Sequence, residues 1–559
     1  PHAVPLPAPR SPNWVHIALL FILLGGLAVR LLAVRDLLFP PWVDAVRHGL
    51  IATVMASSGK VLTTYEPWLP VEVFPYHFGF HTIPASLTMM TGWPLPHTLL
   101  ILGQLLNALV PLSVYAAAWL MTRRRGVGLV AAFLVAFPFL FPGYYATWGR
   151  YTQLAGMLVL PLLIALTWHL IRGGRRWKHA WWVAALLASG LFLIHLRVFL
   201  YYLPFPLLVW FGSRFRRTRA LAAAGSLTLL LVGIRAWQLF PRSSPAQLLT
   251  TSLEGYNDFP MGYVTAGWEE LFVGLALLSI PLSLVAYLRG RRWAALPLAL
   301  AFWVASLFLL LAGRLVGLPE SWLVNLNSMY IILFFPVALL IGLLLDRLWS
   351  WSATRELRKA EGGVRIKRLH RDDEGVVEQR NAAYRGVEVS RVLSLGRYVA
   401  LGLLLTATLL FGVRNQLTIL NRQTILAFPE DSVGLEWVAA NLPDDARIGV
   451  SAWRWLGDAW AGTDGGAWLL PLTGHATSTP PADYVYNPHL AQSVIAFNET
   501  ATAIEDWSDP AAATWLREQG ITHLFIGTRG GFLDPAELAR NPTLKLLYQQ
   551  EGAFIFTLP

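Results

Sequence analysis

The sequence predicts a polytopic α-helical membrane protein that ends in a small α/β domain. Three observations carry that prediction. Of its 559 residues 55% are hydrophobic and only 14% charged, with a mean hydropathy of +0.49, too apolar and too long for one soluble core. Apolar runs of membrane-spanning length recur over residues 14–413. Beyond Arg414 they give way to short helix and strand patterns separated by polar turns.

Taken in order, residues 1–13 form a Pro-rich, flexible lead-in. The run at 14–34 lacks a following small-residue cleavage motif and reads as a retained helix rather than a signal peptide. Further apolar runs lie at about 98–121, 127–142, 154–171, 180–196, 198–212, 219–239, 268–288, 293–312, 328–348 and 396–413, which makes about eleven crossings. A short segment at 81–93 has the length of a re-entrant piece. The long first loop, 35–97, stands out. Within 39–81 it holds Asp44, His48, Glu66, Glu72, His77 and His81 among many aromatic residues and prolines, far more polar chemistry than a connector between two helices needs.

Charge orients the chain. The net charge is +11, but residues 414–559 carry 8 Lys/Arg against 16 Asp/Glu, which leaves +19 on residues 1–413. Anionic headgroups and the positive-inside bias account for this without nucleic acid. With a cytoplasmic N-terminus the inner loops hold 24 Lys/Arg and the outer loops 7, so the first loop and the C-terminal domain are expected outside the cytoplasmic membrane. The segment 349–395 is then a basic cytoplasmic loop. Cysteine is absent, which excludes disulfides, thiolate nucleophiles and Cys-based metal sites.

In the C-terminal region, 432–441 and 510–519 read as helices, 446–451 and 521–526 as strands, and 544–548 with 553–558 as a closing pair. The GTRGG run at 527–531 is too loose for a phosphate-binding fingerprint.

Four runs carry a family likeness: WVDAVRH at 42–48, YHFGFH at 76–81, YYATWGRYTQ at 144–153, and DDARIGV at 444–450 with the stretch 468–474 after it. With the architecture they resemble the GT-C superfamily of membrane glycosyltransferases, in its bacterial, poorly defined branches. There is no Asp-x-Asp in the first loop and no Trp-Trp-Asp-x-Gly motif in the C-terminal domain, which argues against transfer to asparagine. The resemblance implies an inverting enzyme of the cytoplasmic membrane. It would take its sugar from a polyprenyl-phosphate-linked donor to an acceptor outside, with an external-loop Asp as general base or metal ligand. Membership of a larger membrane complex is compatible with it.

Asp44 fits that Asp. Val43, Val46, Leu50, Ile51 and Val54 give a helical apolar stripe, read as an amphipathic helix on the membrane surface, and Asp44 and His48 stand one turn apart on it. A carboxylate beside an imidazole can take a proton from an acceptor hydroxyl; alternatively Asp44 caps the helix. His77 and His81 share the same spacing and, with Asp44 or Glu72, are candidates for a divalent cation such as Mg or Mn, or else hydrogen-bonded ring residues. Arg150 is expected to clamp the donor phosphate, with His195 and Arg197 as a second basic cluster. Arg235 is a charge inside an apolar run, functional or snorkelling. Asp36 is the rival acid, paired with Arg30 and Arg35. Glu72, Tyr151, Glu254 and Asp258 are assigned to acceptor or sugar contacts. So is Trp460, within a Trp- and Gly-rich stretch whose alternative is interdomain packing. The rival functions are a lipid or polymer transporter and a non-catalytic GT-C-like scaffold subunit.

Overall fold

The computed structural model describes residues 13–174, 177, 179–239, 257–265, 267–313, 323–367 and 376–559, with the backbone alone at 13, 352–367, 376–395 and 397. Glu254 and most of the 1–13 lead-in lie outside the described residues.

The apolar runs become helices almost where the hydropathy puts them. The first is α1 (Asn13–Ala33), followed by the loop helices α2 (Val43–Ser58) and α3 (Thr82–Thr91). Then come α4 (Leu95–Thr122), α5 (Arg125–Ala136), the single turn α6 (Tyr145–Trp148), α7 (Tyr151–Arg172) and α8 (Trp181–Ile194). The run at 198–212 is broken into α9 (Leu196–Tyr202) and α10 (Pro204–Gly212), because Pro204 has no N–H to continue the ladder. The remainder are α11 (Thr218–Leu239), α12 (Glu269–Leu288), α13 (Ala295–Leu311), α14 (Phe334–Lys367) and α15 (Val376–Leu417). Eight helices among the described residues are long and apolar enough to cross a membrane, and α5, α8 and the α9–α10 pair are shorter apolar pieces. The segment 349–395, expected as a basic loop between two crossings, is in large part helical. Helix α14 runs on to Lys367 and α15 begins at Val376, in a sequence where Arg, Glu and Ala, all good helix formers, are frequent.

Buried polar groups tie the bundle together. Arg30 does not pair with Asp36; it is buried and donates to Asn107 Oδ1 (2.7 Å) on α4 and to the Ala136 carbonyl (2.9 Å) at the end of α5. Asp36 pairs with Arg35 on the surface.

The C-terminal domain holds α16 (Asp431–Asn441), β1 (Arg447–Val450), β2 (Ala452–Leu456), β3 (Ala459–Gly462), α17 (Leu469–Thr473) and β4 (Ala476–Thr477). They are followed by α18 (Pro488–Ala503), α19 (Pro510–Glu518), β5 (His523–Ile526), β6 (Lys545–Gln550) and β7 (Ala553–Thr557). The main sheet runs β4-β1-β5-β7-β6, with β4, β1 and β5 parallel and β6 and β7 antiparallel. The Trp- and Gly-rich stretch around Trp460 begins with the hairpin β2–β3.

This domain sits on α2. Trp468 is fully buried and meets Phe39 at 5.7 Å, and a Cβ on Gly49 would lie 2.6 Å from its ring. Thr53 Oγ1 donates to the Pro471 carbonyl (2.9 Å), and Asn487 Nδ2 to that of Pro70 (2.6 Å). Helix α2 is therefore buried on nearly every side. The membrane-surface reading saw only one of its two covered faces, since the second partner arrives some 400 residues later in the chain.

Candidate functional site

Asp44 lies in the first turn of α2, and its carboxylate Oδ2 accepts from Arg150 Nε at 3.0 Å. Capping is not its role. Trp42 holds the N-cap position, with φ +76°, and no side chain caps the helix. Asp44 is instead placed where a helix N-terminus favours negative charge. Arg150 precedes α7, and its guanidinium also lies 4.7 Å over the Trp148 ring. The two side chains are 14% and 32% exposed, so the pair remains reachable from outside.

Gly149 makes this juxtaposition possible. Its φ is +57°, and a Cβ there would meet the Pro41 carbonyl oxygen at 2.5 Å and Ala45 Cβ at 2.6 Å. The turn before α7 thus presses directly on the start of α2, which puts Arg150 within reach of Asp44.

Behind the pair the first loop folds inward and gathers four buried histidines. His48 Nδ1 and His81 Nε2 are 3.1 Å apart and share one proton, and the ring centres of His77 and His195 are 4.7 Å apart. Gly79 brings the loop close to the end of α8, its N–H donating to the Leu193 carbonyl at 2.8 Å where a Cβ would stand at 3.0 Å. Arg235 holds the loop from the other side through the carbonyls of Phe74 (2.8 Å) and Tyr76. That is what the charge within the apolar run of α11 does. Burial pushes His48, His77 and His81 well below the usual imidazole range, and nearby positive charge, including Arg47, adds to it. All three rings are neutral at pH 7, with His48 Nε2 and His77 Nε2 buried and unbonded.

These rings bear on the cation expectation. The His48–His81 bond occupies one nitrogen of each, and the His77 and His81 ring centres are 6.5 Å apart. Among the described residues no three His, Asp or Glu side chains are disposed to share a metal ion.

A second network was not anticipated from the sequence. Arg47, one residue before His48, donates to Asp483 Oδ1 (3.0 Å) and to Tyr486 Oη (3.2 Å) of the C-terminal domain. Tyr65 Oη donates to the same Asp483 oxygen at 2.7 Å. Arg47 also lies 5.1 Å over the Tyr76 ring. The one hint in the sequence is an isolated Asp among prolines and tyrosines at 480–488.

The remaining singled-out residues scatter. Arg197 donates to the Leu323 carbonyl and to Ser328 Oγ (2.9 Å) and so anchors the turn before α14; His195 caps α9. Tyr151 is buried against Gly103, where a Cβ would meet its ring at 2.2 Å. Glu72 and Asp258 are exposed. Trp460 packs inside the C-terminal domain with Tyr484 and Val494, which leaves its ring little face to offer a sugar. Around Arg150 the aromatic residues Phe141, Tyr144, Trp148, Tyr263 and Tyr330 form one contiguous wall.

No protein-family model and no curated sequence matches the chain. Solved structures do. ArnT from Cupriavidus metallidurans, bound to undecaprenyl phosphate, superposes over 98% of this chain and 99% of its own, with TM-score 0.57 and 15% identity. The oligosaccharyltransferase AglB from Archaeoglobus fulgidus, with an inhibitory peptide and a dolichol-phosphate, covers 93% of this chain and 70% of its own, with TM-score 0.51 and 13% identity. The arabinofuranosyltransferase AftD from Mycobacteria matches 99% of this chain but only 42% of its own length, at TM-score 0.51 and 14% identity. All three are GT-C proteins, and this chain has their membrane fold.

Proposed function

We propose that this GT-C-fold protein is a membrane glycosyltransferase that moves a sugar from a polyprenyl-phosphate-linked donor to an acceptor on the membrane face bearing the C-terminal domain. The observation that carries the reading is the Asp44–Arg150 pair, 3.0 Å apart and partly exposed between the first loop and the bundle. Donors of this class suit it, because ArnT and AglB were solved with undecaprenyl phosphate and dolichol-phosphate. With 24 Lys/Arg in the opposite loops against 7 on this side, the positive-inside bias puts that face outside the cytoplasm.

The chemistry follows from the exchange of one anion for another. Arg150 is held by Asp44 at rest; a donor phosphate competes for the guanidinium, whose fork suits two phosphate oxygens. Asp44 is then released beside the anomeric carbon's future partner, where it accepts the acceptor hydroxyl's proton as the new glycosidic bond forms. The sugar–phosphate bond breaks, and the lipid phosphate leaves with its charge against Arg150. His48, buried and neutral, sets the position of α2 through His81 rather than meeting the acceptor.

Transfer from a labelled polyprenyl-phosphate sugar to endogenous envelope acceptors, in membranes carrying the protein, tests this. Asp44→Asn should lower transfer by about 10²–10⁴-fold with folding intact, and Arg150→Gln should raise the donor concentration needed. Full transfer by Asp44→Asn removes the carboxylate from the mechanism, and no transfer by the parent protein with any lipid donor leaves the scaffold reading.

A further inference from the structure

Away from the site, a cavity of about 210 Å³ lies between α12, the start of α13, and α14. Its floor is Leu343, Leu344 and Pro297, and Leu348 and Trp351 stand at its lipid-facing rim. Ser279 and Ser283 also line it, but each hydroxyl is spent on its own helix, on the Ala276 and Ser279 carbonyls. Apart from Arg347 at its mouth, the lining is therefore effectively apolar. The volume is many times the ~10–15 Å³ that one water needs on the same measure, room enough for a stretch of hydrocarbon chain.

The cavity sits at the membrane face opposite Asp44. Glu269, at the start of α12, accepts from the Leu140 N–H beside the aromatic wall, and Tyr330 contacts Phe141 there. Ser283 is 14 residues further along, ~21 Å at 1.5 Å per residue, and Arg347 is a comparable distance down α14.

Its mouth is cationic. The Arg347 guanidinium lies 4.2 Å over the Trp293 ring, and its Nε is buried without a hydrogen-bond partner. Asp346, the neighbouring acid, pairs with Arg124. Arg289, Arg291 and Arg292 are exposed in the turn that leads into Trp293. An apolar slot opening to lipid beneath fixed positive charge matches one chemistry, an acyl chain attached to an anionic headgroup.

We propose that this cavity binds one anionic phospholipid, an acyl chain between α12 and α14 and the phosphate against Arg347 and the arginines of the α12–α13 turn. The site is separate from the transfer site and stands whatever that site does.

The probe is phosphatidylglycerol, with phosphatidylcholine as the uncharged control, added to the delipidated full-length protein and read by native mass spectrometry and thermal unfolding. Retention of one phosphatidylglycerol per chain, with a higher Tm than phosphatidylcholine gives, is the expected result. Arg347→Gln should reduce retention at least tenfold. Ser283→Phe, which fills the slot and keeps every arginine, should do the same, and it decides the matter if Arg347→Gln does not fold. Equal retention of both lipids, or unchanged retention in Ser283→Phe, overturns the proposal. Displacement of phosphatidylglycerol by undecaprenyl phosphate overturns the assignment to a phospholipid.

Discussion

Arg47 and Asp483 meet at 3.0 Å across the boundary between the membrane bundle and the C-terminal domain, with side chains 14% and 0% exposed. The carboxylate is fixed further by Tyr65 at 2.7 Å. Removing one partner of such a pair strands the other's charge in a buried setting, which costs about 3–5 kcal/mol. Asp483→Ala should lower the unfolding temperature strongly in detergent, whereas Arg47→Met with Asp483→Leu should recover much of the loss. Additive losses in the double variant would mean that the two do not act as a pair.

Gly149 is the second test. Any side chain there must adopt a positive φ and displace the Pro41 backbone, so Gly149→Ala should part Arg150 from Asp44. Donor-dependent transfer should fall as far as in Arg150→Gln, with α2 shifted in a density map. A variant with unchanged geometry would show that the turn tolerates a methyl group.

Trp468 is the third. It fills the space that Gly49 leaves open and is completely buried, so Trp468→Ala should destabilise the docked domain by about 3–5 kcal/mol. Limited proteolysis should then cut the linker near residues 418–424 faster than in the parent protein.

pH supplies the fourth. In the folded chain His48, His77 and His81 titrate well below their unfolded values. The unfolded chain therefore binds more protons once pH falls below about 6.5. Stability from this cluster is fully present above about pH 6.5 and is lost on acidification. Thermal unfolding measured from pH 8 to pH 5 should show a falling Tm, less steep in His81→Gln. An identical slope in the two proteins would remove His81 from the effect.

Much of the bundle was legible because lipid leaves few choices: a run of about twenty apolar residues has to be a helix, and α4, α7 and α12 begin and end within three residues of the hydropathy pattern. Asp44 and Arg150 were legible as charged groups in an aromatic setting. Their direct bond was not, because it depends on the backbone crossing at Gly149. Arg47 was passed over for a related reason. On α2 it looks like an ordinary solvated cation, and only the domain that covers it, 436 residues away in the chain, turns it into an anchor. Trp460 shows the converse, since a Trp- and Gly-rich stretch has one composition whether it is a binding loop or a packed hairpin, and its ring packs with Tyr484 and Val494.

The burial of α2 by two partners also has a consequence for biosynthesis. Arg47 emerges from the ribosome 436 residues before Asp483, a delay of about 20–90 s at 5–20 residues per second. Through that interval Gly49, Thr53 and the loop around Pro70 wait without the surface that later covers them. The newborn chain is therefore exposed to proteases and to chaperone capture at a helix that its mature form buries, and defects in the last hundred residues should be read out as early degradation of the whole chain.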